Sequence, residues 1–253
     1  MFEMHNVHKV FYQGQVLRRK RYVVHGATLS VEPGETLGLI GPSGAGKSTI
    51  GKLAVRLLEP SEGRLAFEGQ DITHADRRTS RRLKAKMQII FQDPQSSLHP
   101  RKKIGDLLRE PLRLHRLISR SEEQEVVKRM LAQVGLNEEV LDRFPAEISG
   151  GEKQRIIIAR VMALRPKFVV LDEPTSMLDV SIQANILHLL VTLQQKWNMG
   201  YLYISHDMRL VAKLCQRVAV VAKGRIVEQG PVDEIMARPR HPCTKRLVAA
   251  GGL

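Results

Sequence analysis

No stretch of this 253-residue chain approaches the ~20 consecutive apolar residues that a membrane-spanning helix needs. The opening Met1-Phe2-Glu3-Met4-His5-Asn6 lacks a basic region followed by an apolar run, so no secretory signal is expected. Cysteine is almost missing. Cys215 and Cys243 are the only two, and neither belongs to a Cys-x-x-Cys pair. No disulfide framework or zinc site is therefore indicated, and a reducing cytoplasm is the simplest home. Acidic residues are in short supply, with 26 Asp and Glu against 40 Lys and Arg, a formal net charge of +14. Repeats, low-complexity tracts and long linkers are absent as well. The length therefore suits one large α/β domain or two small lobes.

The excess positive charge concentrates in Arg18-Arg19-Lys20-Arg21 and in Arg77, Arg78, Arg81, Arg82, Lys84 and Lys86. Such clusters fit anionic partners, either nucleic acid or an acidic lipid surface. They fit solvated loops and a solvated helix face equally well.

The first third of the chain reads as strands, over Met4 to Phe11, Tyr22 to Val31 and Thr36 to Ile40, interrupted by Gly14 and Pro33-Gly34. A helix starts near Lys47 and ends before Glu59-Pro60, and strands follow at Arg64 to Phe67 and Met87 to Phe91. Residues from about Ile104 to Phe144 are polar with helical periodicity, which predicts a helical insertion. Then come helix 150–164, strand 168–172, helix 180–197, strand 201–205, a short helix after His206, and a hairpin about Lys223-Gly224. Strands alternating with helices predict a mostly parallel sheet, with ligands bound outside the carboxyl ends of its strands.

Gly41-Pro42-Ser43-Gly44-Ala45-Gly46-Lys47-Ser48-Thr49 fits G-x-x-x-x-G-K-[ST]. Glycines let the backbone curl so that successive N–H groups face one anion, and the following helix offers its positive end. Lys47 can reach the β- and γ-phosphates, and the Ser48 hydroxyl can bind Mg²⁺. Phe168-Val169-Val170-Leu171-Asp172-Glu173 is an apolar strand ending in two acids. Such a pair at a buried strand end calls for a cation. Asp172 is placed to hold the metal through water, and Glu173 to orient or deprotonate an attacking water.

Ser149-Gly150-Gly151-Glu152 carries Ser at a helix cap with Glu three residues on, a capping box. The box does not explain the glycines, each of which costs ~1 kcal/mol inside a helix relative to Ala. A helix start stripped of side chains is an anion site. One chain thus carries two phosphate-binding helix starts, and two chains head to tail could each lend the second site to the other's nucleotide.

With its flanking Ile148, this stretch resembles the signature motif of ABC ATPases, set between a P-loop and a Walker B strand at the usual separations. The resemblance spans nearly the whole chain. It implies a P-loop NTPase of the ABC ATPase type: a RecA-like mixed or parallel sheet core, an antiparallel β subdomain and a helical subdomain. It divides the chain into residues 1–91 and 165–238 as core and β lobe, 92–164 as helical subdomain and 239–253 as a short C-terminal element. Two departures stand in the signature, Ile148 for the usual Leu and Glu152 for the usual Gln.

The resemblance also assigns roles. Gln92 matches the Q-loop glutamine, a sensor of the γ-phosphate and a Mg²⁺ ligand, and His206 matches the H-loop histidine that contacts the γ-phosphate. Ser176-Met177-Leu178-Asp179 matches the D-loop, with Met177 for the usual Ala. Phe11 sits where the family stacks an aromatic on adenine, and Tyr12 beside it can do the same. ATP and Mg²⁺ are the implied cofactors. The implied partners are membrane-spanning permease subunits, a second ATPase subunit of the same or a related chain and, indirectly, an extracytoplasmic substrate-binding protein. The implied location is peripheral, on the cytoplasmic face of the inner membrane.

Phe91 to Arg101 resembles the loop of the importers for peptides and nickel, and Arg240-His241-Pro242-Cys243-Thr244-Lys245 resembles their C-terminal His-Pro-Tyr-Thr element, with Cys243 for Tyr. The absence of the cysteine-bearing extension of many oligopeptide members leans toward the nickel or metallophore branch. The alternative is an ABC-type ATPase acting on nucleic acid, in DNA repair or on the ribosome. It is disfavoured because only about a hundred residues separate cradle from signature, without sustained heptads, and because there is one cassette. A dead site is disfavoured by the presence of Lys47, Ser48, Gln92, Asp172, Glu173 and His206 together.

Overall fold

A computed structural model describes residues 1–13, 19–93 and 97–251. In chain order the elements are β1 (Phe2–Gln13), β2 (Arg19–Val31), β3 (Thr36–Ile40), α1 (Lys47–Ala54), β4 (Glu62–Phe67), β5 (Gln70–Asp71), α2 (Arg77–Lys86), β6 (Met87–Ile90), α3 (Ile104–Leu114), α4 (Glu123–Gln133) and α5 (Gly150–Met162). They continue with β7 (Phe168–Asp172), α6 (Val180–Trp197), β8 (Gly200–Ser205), α7 (Met208–Leu214), β9 (Arg217–Ala222), β10 (Arg225–Pro231), α8 (Val232–Ala237) and α9 (Pro242–Ala250).

Strand character follows burial. β3, β7 and β8 are buried at every position, which is why they read as unbroken apolar runs rather than alternating ones. They occupy the middle of a six-stranded sheet of order β10-β9-β3-β8-β7-β6. β9, β3, β8 and β7 run parallel, and β10 turns back antiparallel on β9. The expected hairpin is present, and Lys223 and Gly224 both have positive φ, as a type I′ turn requires. A second, antiparallel sheet has the order β2-β1-β4-β5. Its inward residues Phe2, Met4, Val24, Leu29 and Phe67 share one apolar cluster with Leu37, Leu39, Phe168, Val170, Leu202 and Ile204. Phe2 and Phe168 stack with ring centroids 4.7 Å apart.

The chain divides into two compact units. A core unit comprises residues 1–89, 167–173 and 198–253, and a helical unit comprises residues 90–166 and 174–197. Residues 174–197, which the sequence grouped with the core, cluster in the helical unit because α6 rests on α5. The strand before Gln92 ends at Ile90, so Phe91 lies just beyond it. The C-terminal element is a helix docked in the core unit. His241 caps α9 by accepting the Cys243 N–H at 3.1 Å, and Pro242 takes the first helical position. Glu228 on β10 accepts the N–H groups of Arg240 and His241, both at 2.9 Å, and the Thr244 hydroxyl at 2.6 Å.

Candidate functional site

Three loops leave the carboxyl ends of the adjacent parallel strands β3, β8 and β7. Register pairs Ile40 with Ser205 and Ile204 with Asp172, so Gly41, His206 and Asp172-Glu173 emerge at one sheet edge. This is where α/β sheets bind ligands.

The cradle's glycines serve different ends. A Cβ on Gly41 would lie 2.2 Å from the Val221 carbonyl, so this glycine lets the loop pass β9. Gly46, at φ +105, would meet the Val23 carbonyl at 2.9 Å. Gly44, at φ +74, has nothing within 4 Å of a built Cβ. Its side is open, as a bound phosphate requires. The loop is braced from behind by backbone bonds, His25 N–H to the Gly224 carbonyl at 2.8 Å and Gly224 N–H to the Ala45 carbonyl at 2.9 Å. Sequence reading missed this brace, because no local pattern announces a contact between the β2 strand, a hairpin turn and the cradle. Pro42, Ser43 and Thr49 complete the loop as expected from the motif.

Lys47 is buried, and its ammonium donates to the Gly41 carbonyl at 2.7 Å and the Pro42 carbonyl at 3.1 Å. Burial lowers its pKa, opposed by the Glu173 and Asp172 carboxylates. The Ser48 hydroxyl donates to Asp172 Oδ1 at 3.1 Å. Burial raises the Asp172 carboxyl above its ordinary value, against the Ser48 hydrogen bond. An all-oxygen set in which burial penalises the carboxylate's charge suits a hard divalent cation, which would relieve that penalty. Among the described residues there is no cluster of three His, Cys, Asp or Glu, so no all-protein cage is built. Mg²⁺ fits this arrangement, since it keeps waters and substrate phosphates among its ligands.

Glu173 stands at φ +48, left-handed backbone that costs a non-glycine residue about 1–2 kcal/mol. Its N–H donates to the Ile204 carbonyl at 3.0 Å, which pins the turn. His206 Nδ1 lies 3.0 Å from Glu173 Oε1, with the histidine side chain 62% exposed and the glutamate 16%.

The remaining expected residues belong to the helical unit or the β1–β2 hairpin. Ser149 accepts the Glu152 N–H at 3.2 Å, and the Glu152 carboxylate accepts the Ser149 N–H and hydroxyl, both at 2.8 Å, so the capping box is complete. A Cβ on Gly151 would meet Ile182 at 2.9 Å, and packing on α6 explains that glycine. Gly150 is different. Its Cβ would make only ordinary contact with Leu178 at 3.5 Å, so among the described residues no contact demands a glycine there. Asp179 precedes α6, and its carbonyl accepts the Gln183 N–H at 2.8 Å. Gln92 lies in the helical unit, and the following Pro94–Ser96 fall outside the described residues. Phe11 carries the Lys9 ammonium 5.2 Å above its ring, while Tyr12 points to the other face of β1 and is 61% exposed. Arg18 lies outside the described residues.

A glycine-rich loop ahead of a helix, a buried carboxylate bonded to Ser48 and a second carboxylate beside His206, all at the carboxyl edge of a parallel sheet, define a P-loop NTPase fold. The ABC transporter family profile matches residues 24–176. A probable peptide ABC transporter ATP-binding protein, y4tS, of Sinorhizobium fredii is 44% identical over 227 residues, 90% of this chain and 64% of that protein. The di/tripeptide transport ATP-binding protein DppF of Pseudomonas aeruginosa is also 44% identical over 227 residues, 90% of this chain and 70% of that one. The chain thus spans about two thirds of the length of these relatives. The dimeric structure of MJ0796, a bacterial ABC transporter cassette, superposes with a TM-score of 0.80 at 25% identity, covering 92% of this chain and 99% of that one. The chain belongs to the ABC transporter family, and its fold is that of an ABC-type ATPase. Among the described residues no helix is long and apolar enough to cross a membrane.

Proposed function

We propose that this chain is the ATP-binding and ATP-hydrolysing subunit of an importer for di- or oligopeptides, acting in pairs at the cytoplasmic face of the inner membrane. Its partners are membrane-spanning permease subunits, a second ATPase subunit and, indirectly, an extracytoplasmic substrate-binding protein. The convergence of Lys47, Ser48, Asp172, Glu173 and His206 at one sheet edge carries the ATPase part of this reading. The peptide cargo is supported by relatives whose names specify peptides. Pairing is supported by Gly150, which no contact among the described residues requires.

Each residue then has a task. Lys47 exchanges its loop carbonyls for the β- and γ-phosphates, and the cradle N–H groups hold the phosphate chain. Ser48, Asp172 and Gln92 would hold Mg²⁺, which when bound neutralises developing charge on the transferred phosphoryl group. Glu173 takes the proton of the attacking water, and His206 gives up Glu173 to contact the γ-phosphate. Phe11 or Tyr12 stacks on adenine. Ser149, Gly150, Gly151 and Glu152, followed in the chain by Asp179, meet the nucleotide held by the other chain. ATP binding closes the pair, and loss of the γ-phosphate reopens it, because those contacts exist only in the closed state.

Uptake of labelled dipeptide and labelled nickel, in cells carrying the native chain or Glu173→Gln, tests the reading. Dipeptide uptake should fall by roughly two to four orders of magnitude with the loss of a general base, and nickel uptake should not change. Loss of nickel uptake alone would transfer the cargo to the metal branch, and no change in either, with labelled oligopeptide uptake also unchanged, would remove the peptide-importer assignment. Purified Glu173→Gln should form an ATP-dependent dimer that turns over slowly.

A further inference from the structure

Arg160 is the lone cation in the apolar run Ile156-Ile157-Ile158-Ala159-Arg160-Val161-Met162 near the end of α5. Its guanidinium is divided between two partners inside the helical unit. Nη1 donates to the Ser97 carbonyl at 2.9 Å, and Nη2 donates to Glu110 Oε2 on α3 at 2.8 Å. Glu110 is held in turn by Lys102, whose ammonium donates to Oε1 at 3.1 Å. The Ser97 hydroxyl donates to the Asp93 carbonyl at 3.4 Å, so the carbonyl that Arg160 grips is tied back to the residue after Gln92. The Arg160 side chain is 30% exposed and that of Glu110 40%, so the pair matters for the geometry it fixes rather than for its energy.

We propose that Arg160 is a positioning residue that couples the Gln92 segment to the helix bearing Ser149–Gly151. A γ-phosphate read by Gln92 in one chain then re-aims the glycine-rich helix start offered to the nucleotide of the other chain. The inference rests on the paired-ATPase reading given above. Its mechanical basis is stiffness. α5 is one continuous helix, and the eleven residue steps from its cap Ser149 to Arg160 span about 16 Å at 1.5 Å each. A planar guanidinium with two fixed donors transmits a shift of the Ser97 carbonyl to that helix, whereas a single rotatable ammonium would absorb it. Glu110 fixes the fork's second tine, so that α3, α5 and Ser97 respond together.

The test compares Arg160→Lys, Gln92→Ala and their double variant in the purified full-length chain. Arg160→Lys should bind a fluorescent ATP analogue within about twofold of the native chain, since the cradle lies in the core unit. Its kcat should fall roughly tenfold, and its cooperativity in ATP should move toward a Hill coefficient of one. Adding Gln92→Ala to Arg160→Lys should cost little more than the worse single change, because both interrupt one path. Effects that multiply in the double variant, or native kcat and cooperativity in Arg160→Lys, would overturn the coupling role. If Arg160→Lys does not fold, Glu110→Gln serves in its place. It removes one of the two anchors and should give a smaller loss of cooperativity that again fails to multiply with Gln92→Ala. Failure of the underlying pairing would show separately, as a Glu173→Gln chain that stays monomeric with ATP.

Discussion

Burial holds the Asp172 carboxyl above its ordinary 3.8, with the Ser48 hydrogen bond opposing, so the folded chain binds that proton more tightly than the unfolded chain does. Stability from this group is therefore greatest below the unfolded value and falls as pH rises through the folded one. At neutral pH the ligand-free chain carries a carboxylate that costs it stability and that a cation at Ser48 would compensate. Asp172→Asn keeps an acceptor for the Ser48 hydroxyl and removes the charge. The expected outcome is a thermal midpoint higher by roughly 2–4 °C at neutral pH, the shift that about 1 kcal/mol produces in a chain of this size. The gain should vanish in acid, and ATP hydrolysis should be lost. Calorimetry at neutral and acidic pH checks the first part. A variant no more stable than the native chain at neutral pH would show that Asp172 is adequately solvated without metal. The sequence made Asp172 and Glu173 visible as two acids at the end of an apolar strand. It could not show that Glu173 occupies left-handed backbone, since that follows from the bond between its N–H and Ile204 of a neighbouring strand.

Among the elements, α5 joins two demands at its first turn. The capping box stabilises the helix start, and the uncovered Gly150 leaves room for an approaching phosphate. Glu152 serves the first demand and opposes the second. The Ser149 N–H, followed by its hydroxyl, lowers the Glu152 pKa, so the side chain stays charged throughout the neutral range. That charge suits the helix dipole by about 0.3–1 kcal/mol, but in the pairing proposed above it would face the phosphates of the other chain's ATP. Glu152→Gln retains a box acceptor and removes the repulsion. In a Glu173→Gln background it should tighten ATP-dependent dimerisation by roughly tenfold, the equivalent of one unit charge pair at about 1 kcal/mol or slightly more in high dielectric. Sedimentation against ATP concentration checks it, and unchanged or weaker association would mean that Glu152 does not face the partner's phosphates. The box and its glycines were legible in sequence because capping is local. The reason for each glycine was not. Gly151 answers to Ile182, some thirty residues away, and only the folded contact separates it from Gly150. Arg160 left one legible trace, a cation inside an apolar helix, but its partners Ser97 and Glu110 are set by tertiary packing.

At the scale of the whole molecule, the mostly parallel sheet and its closing hairpin were legible in the sequence, because the central strands carry their burial in their composition, whereas the order of the strands was not. The regrouping of residues 174–197 with the helical unit was not legible, since periodicity reports that a helix has a buried face and not what covers it. Charge is the other global property. α2 buries no residue, and its cations Arg77, Arg78, Arg81, Arg82, Lys84 and Lys86 are all exposed; Lys86 pairs with Glu68 at 2.7 Å. A surface helix of one sign within a chain of net charge +14 repels itself and its surroundings. That repulsion weakens as the screening length shrinks from about 10 Å at 0.1 M salt to about 3 Å at 1 M. The native chain should therefore gain thermal stability from low to high sodium chloride. A variant with Arg77, Arg78, Arg82 and Lys84 changed to Gln should gain less and should keep its ATPase activity within about twofold, since surface changes of this kind stay within about 0.5 kcal/mol each. If α2 instead docks on nucleic acid, the native chain will bind DNA with an affinity that falls steeply with salt, and the variant will lose that binding. A native chain that neither stabilises with salt nor binds DNA would mean that the basic face is already neutralised by some other group, and it would remove self-repulsion as a term in this protein's stability.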